Sequence, residues 1–206
     1  MEAFFYACSK YVIIPLFYGY LMLVVMSKRR NIFLVGPMGA GKTTIGRLLS
    51  EILHLQFLDS DQEIINRTGA DISWIFDVEG EGGFRKRESD VINDLSRREG
   101  IILATGGGAV KTDINRVYLR ERGTVVYLKT SVSKQYERTR FDHKRPLLKQ
   151  PDPRQVLEKL LLEREPLYLE IADIVVSTDE NDPRSLAPRI AEDFRRLCSN
   201  PSSVRK

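Results

Sequence analysis

The sequence predicts an α/β domain in which helices cover both faces of a five-stranded parallel sheet. Short apolar runs alternate with stretches of helical periodicity along the chain. The runs lack strict two-residue alternation, which is typical of strands buried on both faces. A length of 206 residues suits one such domain with appendages. Ligands are then expected at the carboxyl ends of the strands.

The strands are predicted, in chain order, at residues 31–35, 56–58, 101–104, 124–128 and 173–177. The helices between them have recognisable ends. Gly69, Gly100 and Gly123 each stand where a glycine commonly terminates a helix. Asp152 and Pro153 are typical of the N-cap and the first position of a later helix.

The run of residues 36–43 fits G-x-x-x-x-G-K-[ST], the phosphate-binding loop, and lies between the first strand and an amphipathic helix. Glycines let successive N–H groups converge on a phosphate at a helix N-terminus. Lys42 is expected to reach the β- and γ-phosphates, and the Thr43 hydroxyl to ligate Mg²⁺. A glycine-rich turn without a ligand is disfavoured, because all fixed positions are met in the right context. The sequence therefore predicts a nucleoside triphosphate site.

Two acidic residues, Asp59 and Asp61, follow the second strand beside this loop. One carboxylate can orient Mg²⁺ through its waters, and the other can face an acceptor hydroxyl. Alternatively, Asp61 is only the N-cap of the next helix. These residues alone leave the two interpretations equal.

Residues 80–88 are predicted to open a helix that carries Arg85 and Glu88 three positions apart. Glu88 can hold the guanidinium for bidentate capture of a carboxylate. On spacing alone, an ordinary surface ion pair is favoured.

The third strand ends in Gly106, Gly107 and Gly108, which would let a ligand touch the backbone directly. Residues 138–153 are basic and interrupted by prolines, so we expect a mobile lid over the phosphates, with a solvated linker as the alternative. Arg164 is placed at the end of the helix after the lid, which is a weak signal by itself.

Residues 1–27 form an apolar extension. A start of translation at Met26 is favoured over a membrane anchor, and a signal peptide fits less well because the basic residues follow the apolar run. An anchor would leave the domain at residues 28–198 in the cytoplasm. Residues 199–206 are expected to be a disordered tail.

The charge balance argues against a nucleic-acid partner. Lys and Arg number 32 against 28 Asp and Glu, and the basic residues are scattered among acids rather than gathered in a stripe. Cys8 and Cys198 form no metal or redox pattern, and His54 and His143 do not cluster with them. A reduced, cytosolic setting is therefore predicted.

Six ordered features together resemble the shikimate kinase family. They are the phosphate loop with Lys-Thr, Asp-x-Asp after the second strand, Phe-Arg-x-x-Glu, Gly-Gly-Gly after the third strand, Arg-Pro-Leu-Leu in the lid, and Glu-Arg-x-Pro-Leu-Tyr. The resemblance spans about residues 31–197. It implies a nucleoside-monophosphate-kinase-like sheet and transfer of phosphate from ATP to shikimate, a step of aromatic amino-acid biosynthesis.

The resemblance also implies roles for single residues. The ATP contacts are Gly39, Ala40, Gly41, Lys42, Thr43, Thr44, the lid residue Arg145 and Asn181. The shikimate contacts are Asp61, Arg85, Gly107 and Arg164, with the arginines on the carboxylate. Thr43 with Asp59 behind it implies Mg²⁺ binding, and Lys42, Asp61 and Arg145 are the implied catalytic residues. A monomer without nucleic-acid partners is expected.

Two other functions compete with this one. A related small-metabolite kinase, such as a gluconate kinase, would share the loop and the arginines. A GTPase switch would require Asp-x-x-Gly after a strand and Asn-Lys-x-Asp; residues 77–80 match the first within a helical stretch, and the second does not occur.

Overall fold

The computed structural model describes residues 31–140 and 152–199, together with the backbone of two short segments near the N-terminus. Its central sheet contains β1 (Ile32–Val35), β2 (Gln56–Asp59), β3 (Ile101–Ala104), β4 (Thr124–Lys129) and β5 (Ile174–Ser177). All neighbouring pairs are parallel, in the order β2-β3-β1-β4-β5. The predicted five-stranded parallel sheet is confirmed.

Seven described helices surround the sheet. They are α1 (Lys42–Leu53), α2 (Ser60–Thr68), α3 (Ile72–Ser96), α4 (Asp113–Arg122), α5 (Val132–Thr139), α6 (Pro153–Ile171) and α7 (Pro183–Ser199). A short 3₁₀ turn, Ala109–Lys111, follows β3. None of the described helices is both long and apolar enough to cross a membrane.

Alternating side chains of β1 pack into two separate hydrophobic cores. Phe33 and Val35 pack with residues of α2, α3, α4 and α6, whereas Ile32 and Leu34 pack with residues of α1 and α7. All four are fully buried. The strand is therefore covered on both faces, which explains why its sequence shows no polar alternation.

The buried Asn31 fixes the start of β1. Its side-chain oxygen accepts from the Ile101 N–H at 3.1 Å, and its Nδ2 donates to the Arg98 carbonyl at 2.6 Å. Its carbonyl accepts from the Thr124 N–H at 2.9 Å. One residue, through its side chain and its carbonyl, thus joins the starts of three adjacent parallel strands.

The glycines predicted to end helices have three different roles. Gly69 ends α2 in the left-handed conformation, as predicted. Gly100 has a positive φ of 72°, but α3 already ends at Ser96, so that prediction is wrong. Gly123 ends α4 with an extended φ of −168°. A side chain there would stand 2.6 Å from the Phe33 ring, so close packing and not a left-handed turn requires this glycine.

Two helices depart from the predicted boundaries. A bend at Gly80 (φ 70°) divides α3, and Arg85 lies just after that bend, so the predicted helix opening is close to the observed one. Arg164 was expected at the end of its helix, but α6 continues to Ile171 through Pro166. Burial of Tyr168 and Ile171 in the core accounts for the extension, because it offsets the hydrogen bond that the proline cannot make.

The predicted lid boundaries extend into helices at both ends. Arg138 and Thr139 belong to α5, and Asp152 caps α6 with Pro153 in its first turn, as predicted. The Arg154 guanidinium lies 4.8 Å from the centre of the Tyr136 ring and joins the two helices. Residues 141–151, and the tail after 199, lie outside the described residues.

The N-terminal extension also lies mostly outside the described residues. Within it, the backbones of Val12–Ile14 and Met22–Val24 pair as short antiparallel strands.

Candidate active site

The phosphate loop connects β1 to α1 through three glycines with positive φ. Gly39 (φ 74°) and Gly41 (φ 84°) adopt the left-handed conformation, and Gly41 is the N-cap of α1. Other residues adopt this conformation only with strain, so the glycine pattern is a backbone requirement. The Ala40 side chain is buried in the core, which leaves only its backbone for a ligand.

Lys42, Thr43 and Asp59 lie together at the mouth of this loop. The Lys42 ammonium donates to the carbonyls of Gly36 at 2.7 Å and Pro37 at 2.8 Å. The Thr43 hydroxyl donates to Asp59 Oδ2 at 3.0 Å. A hydroxyl and a carboxylate oxygen side by side are the kind of ligands that Mg²⁺ binds.

A cavity of about 350 Å³ opens over the loop and holds most of the predicted site. Its lining residues are Met38, Gly39, Gly41, Lys42, Thr43, Thr44, Asp59, Asp61, Ala104, Thr105, Gly107 and Arg138. The phosphate loop, both aspartates and one glycine of the triple-glycine turn thus face a single space.

The two aspartates have separate positions. Asp59 is the N-cap of α2, and its Oδ1 accepts from the N–H groups of Asp61 and Gln62 at 3.1 and 3.3 Å. Asp61 lies in the first turn of the helix. The alternative that Asp61 is the N-cap is therefore wrong, since Asp59 already fills that position. The Asp61 side chain is left to face the cavity.

Arg85 and Glu88 form an ion pair of 2.7 Å next to this cavity. Only 18% of the Arg85 side chain and 1% of the Glu88 side chain are exposed, so the pair is not an ordinary surface one. Glu81 adds a second contact to Arg85 at 3.3 Å. The guanidinium lies on Gly108, where a Cβ would stand 2.7 Å from its Nη1.

The triple glycine serves the neighbouring side chains more than a ligand. A Cβ at Gly106 would stand 2.7 Å from Asp61 Oδ1 and 2.9 Å from Glu88 Oε1. Gly108 makes room for Arg85 in the same way. Of the three, Gly107 alone lines the cavity, as the predicted ligand contact requires.

Arg164 reaches the same cluster from α6. It is 7% exposed, and its Nε has no hydrogen-bond partner among residues 31–140 and 152–199. Its charge acts on both Glu88 and Tyr168. The Tyr168 hydroxyl donates to the Gly107 carbonyl at 2.5 Å. Tyr168 was not among the predicted site residues, because a contact across 61 positions has no local sequence signal.

The electrostatics of this cluster centre on Glu88. Burial raises the pKa of Glu88 to about 7, although the ion pair with Arg85 lowers it. The Asp61 carboxylate raises the pKa of Glu88 further, and Arg164 opposes that effect. Glu88 therefore changes its charge near neutral pH.

Arg138 is a second residue that was not predicted to contact the site. Its Nη1 donates to the carbonyl of Gly39 in the phosphate loop at 3.0 Å, and its Nη2 donates to the Thr178 carbonyl after β5 at 2.6 Å. In the sequence it resembles the start of the basic lid. Asn181 lies in the same loop after β5, outside the cavity, and Arg145 falls outside the described residues.

Comparison with known proteins identifies the family. A family model described as shikimate kinase matches residues 38–195, well over half of the chain. The chain belongs to the shikimate kinase family. The shikimate kinase of Shewanella frigidimarina is 61% identical over 167 residues, which are 81% of this chain and 98% of that protein. That of Histophilus somni is 60% identical, over 81% of this chain and 96% of that protein.

Solved structures agree with the shikimate kinase assignment. Shikimate kinase from Acinetobacter baumannii in complex with shikimate superposes with a TM-score of 0.80 and 50% identity, over 83% of this chain and 96% of that one. A gluconokinase from Sinorhizobium meliloti has a TM-score of 0.53 and 19% identity, over 85% of this chain and 95% of that one, so it shares the fold alone. The shikimate kinase prediction is confirmed over the gluconate kinase alternative.

Proposed function

We propose that this chain transfers the γ-phosphoryl group of ATP to the 3-hydroxyl of shikimate, giving ADP and shikimate 3-phosphate. One observation carries the proposal: Asp61 shares a cavity with the phosphate loop, while its carboxylate also faces the cluster of Arg85, Glu88 and Arg164. A hydroxyl-binding group thus stands between a phosphate site and a carboxylate site. The shikimate complex of the related Acinetobacter baumannii protein supports the choice of acceptor.

The nucleotide side of the site is formed by the phosphate loop. The loop N–H groups of residues 39–44 and the Lys42 ammonium bind the phosphates and offset the charge on the transferring group. Arg145 is proposed to add a further positive charge to the phosphates, and Asn181 to contact the adenine.

The acceptor side binds both ends of shikimate. Arg85 and Arg164 hold the carboxylate, and Gly107 contacts the ring substituents through its backbone. Asp61 orients the 3-hydroxyl and accepts its proton as the bond to phosphorus forms. Because a loose transition state demands little of a base, orientation is the larger part of this role.

Thr43 and Asp59 fit a magnesium ion by their chemistry and their 3.0 Å separation. These two residues would hold the ion, which would supply positive charge beside the transferring phosphate. Asp59 also caps α2, so the same carboxylate ties the metal site to the helix that carries Asp61.

The enzyme is proposed to act as a monomer in the cytoplasm, within aromatic amino-acid biosynthesis. No contact with nucleic acid is expected, and membrane contact would arise only through residues 1–26.

A coupled assay of ADP release tests the proposal. The chain is given ATP and Mg²⁺ with shikimate, gluconate or a nucleoside monophosphate in parallel. Of the three acceptors, only shikimate is expected to support turnover, and mass spectrometry should find one phosphate group added to it. Turnover with gluconate or the monophosphate but none with shikimate would refute the proposal.

A further inference from the structure

Glu88 has an unusual environment for a residue that only supports an arginine. Its side chain is 1% exposed, and Oε2 accepts from Arg85 at 2.7 Å. Its other oxygen, Oε1, is buried without a hydrogen-bond partner in the described part of the chain. A buried carboxylate oxygen without a donor carries a large desolvation cost. The position therefore favours a carboxyl group that can become neutral.

The groups that face Glu88 come from three helices. Arg85 is on its own helix α3, Asp61 is on α2, and Arg164 is on α6. The Tyr168 hydroxyl, also on α6, is affected by the charge of Glu88. Among the described groups that act on Glu88, the two guanidinium groups of Arg85 and Arg164 face two carboxylates, Glu88 itself and Asp61, while the more exposed Glu81 pairs with Arg85 from its outer side. A substrate carboxylate held by Arg85 and Arg164 would be a third negative charge in the same buried cluster.

We propose that Glu88 is a positioning residue that couples capture of the acceptor's carboxylate to the uptake of one proton. Ionised Glu88 holds Arg85 over Gly108, and it is neutralised when the substrate carboxylate takes over that guanidinium. The proton passes from solvent to Oε1, and no other covalent bond changes. This inference rests on the proposed function, since it requires an anionic acceptor at Arg85.

The geometry supports protonation at Oε1 in particular. Oε1 and Asp61 Oδ1 face the same small volume above Gly106. A proton on Oε1 replaces the repulsion between two carboxylates with an O–H group directed toward an acceptor. The pKa of Glu88, about 7 without substrate, rises further when an anion binds beside it.

The sign of the pH dependence follows from linkage. The complex binds more protons than the free enzyme, so shikimate affinity falls as pH rises above the pKa of Glu88 in the free enzyme. The fall is limited to tenfold in Kd per pH unit for one proton, and it stops above the pKa in the complex. The carboxylate of shikimate stays ionised throughout this range.

Isothermal titration of shikimate into the full chain at pH 6 to 9, in phosphate and in Tris, tests the proposal. Near pH 7.5 to 8, the binding enthalpies measured in the two buffers are expected to differ. The difference should equal the difference between the buffers' ionisation enthalpies multiplied by the number of protons taken up, which is at most one. Kd should rise several-fold across this range. The methyl ester of shikimate, which lacks the charge, should bind without proton uptake.

Three variants separate Glu88 from its neighbours. Glu88→Gln should bind shikimate without proton uptake and with a Kd that is independent of pH. Glu88→Asp keeps a titrating carboxyl group and should restore a pH dependence. Glu81→Gln removes the more exposed partner of Arg85, so it should keep the wild-type proton uptake.

The inference is overturned if wild-type enthalpies agree between buffers and Kd is flat with pH, or if proton uptake persists in Glu88→Gln. The methyl ester comparison uses the wild-type chain, so it tests the coupling between the substrate carboxylate and proton uptake without a variant, and Glu88→Asp assigns the proton to Glu88 if Glu88→Gln fails to fold. Phosphorylation of shikimate without proton uptake would refute this inference alone, whereas absence of any shikimate binding would refute the proposed function beneath it.

Discussion

Asp59 and Asp61 are two positions apart, but their side chains have different roles. Asp59 Oδ1 accepts from the N–H groups that begin α2, and its Oδ2 accepts from the Thr43 hydroxyl. Asp61 does not cap the helix, and its side chain lines the cavity. Replacing either residue should therefore damage a different property of the enzyme.

Asp61→Asn should lower kcat about 100-fold or more, because an amide cannot accept the hydroxyl proton and orients the acceptor poorly. ATP affinity, measured with a nonhydrolysable analogue, should stay within about twofold. Glu63→Gln, on the same helix and paired with Arg67, serves as the matched control and should retain kcat. Near-normal turnover of Asp61→Asn would remove Asp61 from the chemistry.

Gly106→Ala should impair acceptor use, because its methyl group would meet Asp61 and Glu88 at 2.7 and 2.9 Å. We expect kcat/KM for shikimate to fall about tenfold, which corresponds to about 1.4 kcal/mol, with KM for ATP unchanged. Gly82→Ala is the control, since nothing lies within 4 Å of a methyl group there. Equal steady-state behaviour of the two variants would contradict this account of the triple glycine.

Glu88→Gln should also change how stability depends on pH. The folded chain keeps the Glu88 proton up to a pKa of about 7, whereas the unfolded chain loses it near 4.5. The unfolded state thus binds fewer protons between these values, so the wild type loses stability relative to the variant as pH rises through them. The loss is on the order of 3 kcal/mol. Urea unfolding of both proteins from pH 4.5 to 8 measures it, and parallel curves would contradict the raised pKa.

At the scale of a single element, helix α5 links the phosphate loop to the loop after β5. Arg138 donates to the Gly39 carbonyl and to both the carbonyl and hydroxyl of Thr178, so one side chain links the phosphate loop to the loop after β5. The Thr178 hydroxyl also bonds Thr130 at 2.7 Å, which ties this link to the end of β4.

Arg138→Ala should raise KM for ATP about tenfold and leave KM for shikimate within about twofold, because losing these charge-assisted hydrogen bonds loosens only the nucleotide loops. Lys134→Ala on the same helix removes an exposed pair with Glu137 and should be silent. Initial-rate kinetics with each substrate varied in turn would show the difference. A change confined to KM for shikimate would contradict the assignment.

The elements that the sequence predicts well are those with a local cause. The strands and the phosphate loop follow from apolar runs, glycine positions and the helix after them, so the structure confirms them within one residue or so. The boundary of α6 could not be predicted in this way. Pro166 is a local signal to stop, and the burial of Tyr168 against the rest of the core overrides it.

The features of the site that could not be predicted from the sequence depend on contacts between distant parts of the chain. Gly106 and Gly108 are glycines because side chains from α2 and α3 occupy the space beside them. Arg138 resembles any other lid cation until Thr178, 40 positions away, is placed next to it. The N-cap alternative for Asp61 is excluded once Asp59 is found to cap α2, and its role at the acceptor hydroxyl stays a prediction.

At the scale of the whole molecule, the strand order separates most of the proposed acceptor contacts from the nucleotide contacts. The phosphate loop leaves the central strand β1. The segments after β2 and β3, on one side of it, carry Asp61 at the start of α2 and the triple glycine. The segments after β4 and β5, on the other side, carry Arg138 and Asn181. Arg164, on α6 between β4 and β5, is the exception among the proposed acceptor contacts, because it reaches the acceptor cluster from the other side. The two sets of groups meet above β1, where phosphoryl transfer is proposed.

The contact between Arg154 and Tyr136 has a consequence for how such a scaffold can diversify. It holds α5 and α6 together, so the chain leaves α5 and enters α6 at neighbouring anchors. Changing the length of such a connection costs little, about 0.6 kcal/mol for each doubling. The sheet should therefore tolerate a change in the length of this connection, whereas the proposed role of Arg145 restricts its sequence.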